Sequence, residues 1–155
     1  MSHILGVTVY GVPAPQGSKR AIRNQHTGRI QQVESSAKVA PWRADVRQAV
    51  LDAGDGSGPT LRPVTVRVDF VLPRPKGHYR TGRYAGMLRD SAPTHPAGKP
   101  DLDKLVRAVL DAIGSTGTVW HDDSQVIYIE AGKHYPSVTT LDRPGAIIHV
   151  SEVQP

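Results

Sequence analysis

Residues 101–131 read DLDKLVRAVLDAIGSTGTVWHDDSQVIYIEA, and they contain the most regular pattern of apolar residues in the chain. From Leu102 to Ile113 the apolar side chains recur at the spacing of one helix face. The GSTG run at 114–117 predicts the end of that helix, and SQVIYIEA at 124–131 predicts a strand. The stretch therefore predicts a helix joined by a short connection to a strand, with a pair of aspartates at the start of each.

The sequence on both sides of this unit predicts four more elements. They are, in chain order, a strand at 4–12, a helix at 37–53, a strand at 64–72 and a strand at 145–150. The order β-α-β-α-β-β predicts an α+β fold. We expect a single domain over 1–155, with a small mixed sheet of about four strands packed by two helices.

Composition narrows the class of protein. The 155 residues are the length of one ordinary domain. Since there is no cysteine, disulfides and thiolate metal ligands are excluded. No segment approaches the ~20 apolar residues of a membrane span, and the N-terminus does not resemble a signal peptide. We expect a cytoplasmic protein that does not associate with membranes.

Charge is divided unevenly along the chain. Residues 1–100 hold 15 basic and six acidic side chains, a net +9, whereas residues 101–155 carry a net −4. A basic body with an acidic patch suits a protein that binds a polyanion together with a cation. A soluble protein with uneven charge is the alternative.

Two segments without hydrophobic periodicity, 13–32 and 73–100, predict long basic loops. In the second, Tyr79 and Tyr84 stand among basic residues, a mixture that can grip phosphates and stack on unpaired bases. A solvated loop without a ligand is the other interpretation. The candidate DNA-binding side chains are Lys19, Arg20, Arg23, Arg29, Arg74, Lys76, Arg80, Arg83 and Lys99.

The aspartates are the strongest candidates for chemistry. If Asp101 and Asp103 were both helical, their side chains would point roughly 200° apart. Because Pro100 disfavours helix for the residue before it and Asp is a favoured N-cap, we expect Asp101 to lie outside the helix and to converge with Asp103. Taken alone, however, Asp101 can be a simple cap and Asp103 an ion-pair partner of Arg107.

The second pair, Asp122 and Asp123, is equally ambiguous by itself because aspartate is common in turns. Together the two pairs predict one metal site, since the short connection can bring them to one edge of the sheet. Oxygen ligands without His or Cys spacing favour Mg²⁺, with Mn²⁺ as a substitute, over zinc.

The segment KPDLDKLVRAVLDAI, followed by WHDDSQV, closely resembles the RusA family of Holliday junction resolvases. VYGVPAPQGSKR and VDFVLPRPKGHYR resemble that family's N-terminal strand and loop and its second strand and turn. The resemblance covers nearly the whole chain and implies a homodimeric, Mg²⁺-dependent endonuclease that nicks two strands of a four-way DNA junction symmetrically. It places the essential acids on Asp101, Asp103 and the DD pair, with Asp123 ranked above Asp122.

Two departures from the family pattern concern the catalytic cation. The family's Asn after the second Asp is Lys104 here, and its helix Lys is Arg107. Arginine keeps its charge at any working pH, so Arg107 can stabilise a phosphate but cannot donate a proton. Either Arg107 or Lys104 would supply the cation.

Three other functions fit the same residues less completely. They are a non-catalytic branched-DNA-binding protein, a nuclease that prefers flaps or forks, and a structural metal-binding domain.

Overall fold

The computed structural model describes residues 2–17, 20–33 and 37–155. Its strands are β1 (Ser2–Tyr10), β2 (Arg20–Arg23), β3 (Ile30–Val33), β4 (Val64–Val71), β5 (Val126–His134) and β6 (Gly145–Glu152), and its helices are α1 (Val39–Ala53) and α2 (Leu102–Thr116). The predicted α+β class is confirmed, as is the β-α-β-α-β-β order of the elements that form the main sheet and its helices. The chain forms one small domain with a four-stranded mixed sheet.

The main sheet has the strand order β1-β6-β4-β5. β6 pairs antiparallel with β1 and with β4, whereas β4 and β5 are parallel neighbours. Because α2 is the crossover between these parallel strands, it runs antiparallel to β5. Its first residues therefore lie near the end of β5, where Lys133 Nζ donates to Pro100 O over 3.0 Å.

The hydrophobic core lies between the sheet and the two helices. Alternate side chains of β4, from Val64 to Phe70, are buried on the helix side, and each buried valine contributes about 1.5–3 kcal/mol relative to an exposed one. Trp42 on α1 and Trp120 after α2 are almost completely buried. This core fixes α2 over the sheet and thereby fixes the positions of the aspartates at both ends of α2.

The predicted loop at 13–32 needs a correction, because β2 and β3 form an antiparallel hairpin within it. Asn24 Oδ1 accepts hydrogen bonds from the backbone N–H groups of His26 (2.9 Å) and Thr27 (3.2 Å), which closes the turn. Gly28 supplies the left-handed conformation with φ +69°. Ile30, at the start of β3, is 71% exposed, and the sequence of the hairpin shows no hydrophobic periodicity.

The segment 73–100 is a long connection, as predicted, with two short 3-10 turns at Lys76–His78 and Gly82–Tyr84. It is tied together by a bridge between Tyr79 and Leu88 and by Arg89, whose Nε donates to Tyr79 O over 3.0 Å. No helix among the described residues is long and apolar enough to cross a membrane.

Candidate active site

Asp101 immediately precedes α2 with φ −69° and ψ 137°, so the prediction that it lies outside the helix is confirmed. Its carboxylate does not cap the helix. It accepts a hydrogen bond from Lys99 Nζ over 3.1 Å and lies 3.4 Å from Lys104 Nζ. The hydrogen bonds and charges of these lysines, Lys99 first, lower the pKa of Asp101. This end of α2 therefore presents an ionised carboxylate that already has cationic partners.

Asp103 lies exposed in the first turn of α2, where the helix N-terminus favours negative charge. Arg107 is exposed one turn later. Within residues 2–17, 20–33 and 37–155, neither Asp103 nor Asp111 forms a salt bridge with Arg107. The simple ion-pair interpretation of these side chains is therefore not supported, and the Arg107 guanidinium faces solvent.

Asp123 lies against the other end of α2. Its Oδ1 accepts a hydrogen bond from Trp120 Nε1 over 2.8 Å, and a Cβ atom on Gly114 would stand only 2.6 Å from the same oxygen. Burial raises the pKa of Asp123, the Trp120 hydrogen bond offsets part of this effect, and the charges of Asp111 and Asp122 raise it further. Asp123 is thus held at a fixed place beside other carboxylates.

Asp122 has a structural task. It forms a capping box with Gln125: its Oδ1 accepts from Ser124 N–H over 2.8 Å, and Gln125 Oε1 accepts from Asp122 N–H over 3.0 Å. These hydrogen bonds from Ser124 lower the pKa of Asp122. The geometry thus distinguishes two adjacent aspartates, one that shapes the turn and one that faces α2.

Several residues that position α2 and Asp123 were not predicted from the sequence. Gln16 donates its side-chain amide to Asp111 and its backbone N–H to Lys104 O, which ties the segment before β2 to α2. The D-x-x-Q pattern at 122–125 is a sequence signature of a capping box and could have predicted it. By contrast, the contacts of Gly114 and Trp120 with Asp123 depend on the packing of α2 and leave no local pattern.

The two aspartate pairs lie at opposite ends of α2. Eleven residues separate Asp103 from Gly114, about 16 Å along a helix axis. In the part of the chain that the structure describes, no three His, Asp or Glu side chains are grouped to hold a metal ion. One chain therefore does not assemble the predicted cluster. The short connection joins the C-terminal end of α2 to β5, so it carries Asp122 and Asp123 away from Asp101.

A cleft of about 600 Å³ opens beside Asp101 and Lys104. Its walls are mostly apolar, and Tyr135 forms part of them. The Arg74 guanidinium stacks 4.2 Å from the centre of the Tyr135 ring. The N-terminal end of α2 thus combines two charged side chains with an apolar recess.

The candidate DNA-binding residues divide by their contacts within the chain. Lys19 lies outside the described residues, and of Arg20 only the backbone in β2 is described. Three have internal partners: Arg74 donates to Pro93 O, Arg80 pairs with Asp90, and Lys99 pairs with Asp101. Four others have exposed side chains: Arg23, Arg29, Lys76 and Arg83.

Comparison with known proteins bears on this arrangement. A family model described as "Endodeoxyribonuclease RusA" matches residues 11–150. The chain belongs to the RusA family. Both aspartate pairs of this RusA-family protein fall inside the matched region, so the resemblance stated from its motifs is confirmed.

A relative in Bacillus subtilis (strain 168), named "Uncharacterized protein YqaN", is 32% identical over 136 residues. The matched residues cover 83% of this chain and 85% of that protein. The likeness therefore extends over most of both chains.

Proposed function

We propose that this RusA-family protein resolves four-way (Holliday) DNA junctions by paired, Mg²⁺-dependent hydrolysis of phosphodiester bonds. The observation that carries the proposal is the membership of an endodeoxyribonuclease family across residues 11–150, in a chain whose aspartates lie at both ends of one helix. The protein would act in the cytoplasm, in recombination and repair.

The proposed metal ligands are Asp101, Asp103 and Asp123. Asp122 is a weaker candidate because it is engaged in its capping box. Their carboxylate oxygens suit Mg²⁺, and Mn²⁺ would substitute for it. When bound, the ion would supply an acidified water and would neutralise charge on the phosphate. The donor chemistry thus fits, although one chain holds the donors apart.

The two candidate cations have different surroundings. Lys104 Nζ lies 3.4 Å from the Asp101 carboxylate, so it positions and neutralises that side chain. Arg107 is exposed and has no carboxylate partner within the described ranges. Arg107 is therefore the better candidate to stabilise the charge on the scissile phosphate, which a guanidinium can bind through two hydrogen bonds.

Binding of the junction arms would fall to the exposed cations of the hairpin β2–β3 and of segment 73–100. Arg83 lies 5.7 Å from the ring centre of Tyr84, which is itself 52% exposed. This pair can contact a phosphate and stack on a base that the junction leaves unpaired. Such contacts read the shape of the DNA more than its sequence. A homodimer would match the near two-fold symmetry of the junction.

The test is incubation of a mobile four-way junction with the wild-type protein and with Asp101→Asn, in the presence and absence of Mg²⁺. We expect paired symmetric nicks from the wild type with Mg²⁺ and none from the variant, with unchanged junction binding. Asp142→Asn, at an exposed site in the connection before β6, is the matched control. Binding without nicking under all conditions would favour a non-catalytic protein, and faster cleavage of flaps or forks would redirect the assignment.

A further inference from the structure

The cleft beside Asp101 lies where three strands of the main sheet end. β1, β4 and β5 run in the same direction, because β6 is antiparallel to both β1 and β4, and β5 is parallel to β4. Val12 after β1, Leu72 after β4 and Tyr135 after β5 all line the cleft. In open α/β sheets, ligands bind in the crevice outside the carboxyl ends of the strands. The cleft has the same location, and its volume of about 600 Å³ suits a ligand of small-molecule size.

The walls of the cleft suit a flat aromatic group. Proline has no backbone N–H, and six prolines line the cleft: Pro13, Pro15, Pro73, Pro75, Pro96 and Pro100. The Tyr135 ring is held by Arg74, whose guanidinium lies 4.2 Å from the ring centre, and by the His78 ring, which meets it edge-on with centres 5.5 Å apart. Apolar walls with few donors can bind the face of any nucleobase, because every base has a π-face.

The charges around the cleft are complementary to phosphate. Lys38, Lys99 and Lys104 line it together with one carboxylate, that of Asp101. Lys38 is exposed just before α1, and the side chain of Lys99 is 82% exposed. Both ammonium groups can therefore reach a phosphate from solvent. An apolar cleft surrounded by an excess of cations matches a base that carries phosphates, which is a nucleotide.

A second arginine stacks on a tyrosine at the same edge of the sheet. The Arg143 guanidinium lies 3.8 Å from the ring centre of Tyr10, the last residue of β1, and this ring is 47% exposed. The backbone N–H of Gly11 donates to Pro144 O over 3.2 Å, which ties the two segments together. A stacked guanidinium can still bind phosphate through its N–H groups. A DNA strand that enters the cleft would thus meet a further cation beside β1.

We propose that this cleft binds one unpaired nucleotide of the DNA, with its base against the apolar walls and its phosphates at the lysines. The proposal rests on the proposed function for its substrate. Because Asp101 lines the cleft, a nucleotide bound there would hold a neighbouring phosphate beside that carboxylate. A base must leave its stack to enter, which costs a few kcal/mol in duplex DNA and least where the base is already unpaired. The cleft would therefore favour branched DNA over intact duplex.

The test measures binding of a four-way junction in EDTA, so that nicking does not contribute. The fluorescent base 2-aminopurine is placed in turn at each position around the crossover, and its emission reports whether it is stacked in the DNA. We expect the emission to change at one position when the wild-type protein binds. An abasic site at that position should weaken binding by about 5-fold to 100-fold. This comparison needs only the wild-type protein.

Gly98→Leu blocks the cleft. Gly98 lines it, and a Cβ atom added there meets no described atom within 4 Å, so the leucine fits without strain. We expect this variant to lose the emission change and to bind the intact junction as weakly as the wild type binds the abasic one, with no further loss on the abasic junction. Gly77→Leu is the matched control, because Gly77 is equally open in the same segment but does not line the cleft.

The proposal is overturned if no position changes its emission in the wild-type complex, if the abasic site leaves binding unchanged, or if Gly98→Leu keeps the wild-type signal. The last result would leave the cleft free for another occupant, such as an apolar peptide. If the signal appears and is lost in Gly98→Leu, but the wild type does not nick the junction with Mg²⁺, the nucleotide site stands and the proposed nuclease function is what fails.

Discussion

The two ends of α2 differ in whether nearby cations balance the negative charge of their carboxylates. At the start, Asp101 lies between Lys99 and Lys104, and its pKa is lowered. At the far end, Asp123 lies near Asp111 and Asp122, and its pKa is raised. Two aspartate pairs that look alike in the sequence thus occupy opposite electrostatic environments.

This difference indicates where a cation is needed. The lysines partly balance the charge of Asp101 at the first end, whereas Asp103 beside it has no salt bridge among the described residues. The second end gathers negative charge around a carboxylate held by Trp120, and a cation nearby would relieve that repulsion. A basic chain with carboxylates at both ends of one helix is well suited to bind DNA and a metal ion together.

The largest expected effect is a difference in nicking rate between substitutions of the adjacent residues Asp122 and Asp123. Asp123→Asn should lower the rate of junction nicking by about 100-fold or more, because it removes a charged ligand. Asp122→Asn should stay within about threefold of wild type, because Asn caps a helix as well as Asp does. Single-turnover rates at saturating Mg²⁺ measure both. Equal losses in the two variants would remove the distinction drawn from the capping box.

The next effect tests whether the position of Asp123 matters. Gly114→Ala would put a methyl group 2.6 Å from Asp123 Oδ1 and push that carboxylate from Trp120. We expect a loss of about 10-fold to 100-fold in nicking. Thermal stability should change little, because alanine stabilises a helix by about 1 kcal/mol relative to glycine. This gain offsets the cost of displacing the carboxylate. Gly77→Ala, with no atom within 4 Å of the added carbon, is the control. A fully active Gly114→Ala would show that nicking does not depend on the position of Asp123.

A smaller effect on nicking is expected at the N-terminal end of α2. Lys133 Nζ donates to the carbonyls of Gly98 (2.8 Å) and Pro100 (3.0 Å), which fastens the chain just before Asp101. Lys133→Met should lower the free energy of unfolding by about 1.5–3 kcal/mol and nicking by up to about tenfold. Urea denaturation and single-turnover rates check this, and Lys133→Arg should restore part of both. Loss of stability with unchanged nicking would show that this anchor does not position Asp101.

The smallest expected effect is on stability, and it concerns the hydrogen bonds that connect the Asp122 turn to Thr60 and Glu152. Gln125 Nε2 donates to Thr60 O, and the Thr60 hydroxyl donates to Glu152. The Thr60 hydrogen bond, assisted by those of Gln154 and the charge of Arg62, lowers the pKa of Glu152 from its ordinary 4.5. Its ionised form therefore stabilises the fold above that value, and the contribution is lost as the pH falls through the lowered pKa.

Glu152→Gln should consequently destabilise the protein at pH 7 and make almost no difference well below the lowered pKa. Urea denaturation of both proteins across this range measures the change. A constant difference between the two proteins at all pH values would show that the charge of Glu152 is not what matters.

The sequence predicted most of the fold because its elements have one buried face. The alternation of β4 and the apolar stripe of α2 both reflect the same core, and their predicted ends lie within three residues of those observed. The hairpin β2–β3 was missed because Ile30 and its neighbours on the turn are exposed. The segment also lacks hydrophobic alternation, which is the signal that predicts a strand.

The site was predictable in its residue types but not in its arrangement. The extended backbone of Asp101 followed from the preference of aspartate for N-cap positions, after a proline that disfavours helix for Lys99. The separation of Asp103 from Asp123 follows from the length of α2, but the packing of Asp123 against Gly114 does not. Lys133 acts through contacts with residues more than 30 positions away in the sequence, which leave no local pattern.

We expect the carboxylates at the two ends of α2 to serve one reaction. A double-mutant cycle tests this: single-turnover nicking of a four-way junction by wild type, Asp103→Asn, Asp123→Asn and the double variant. Residues that act as a unit are strongly non-additive, so we predict that the double variant nicks within a few-fold of the slower single variant. A loss equal to the product of the two single losses would contradict the claim.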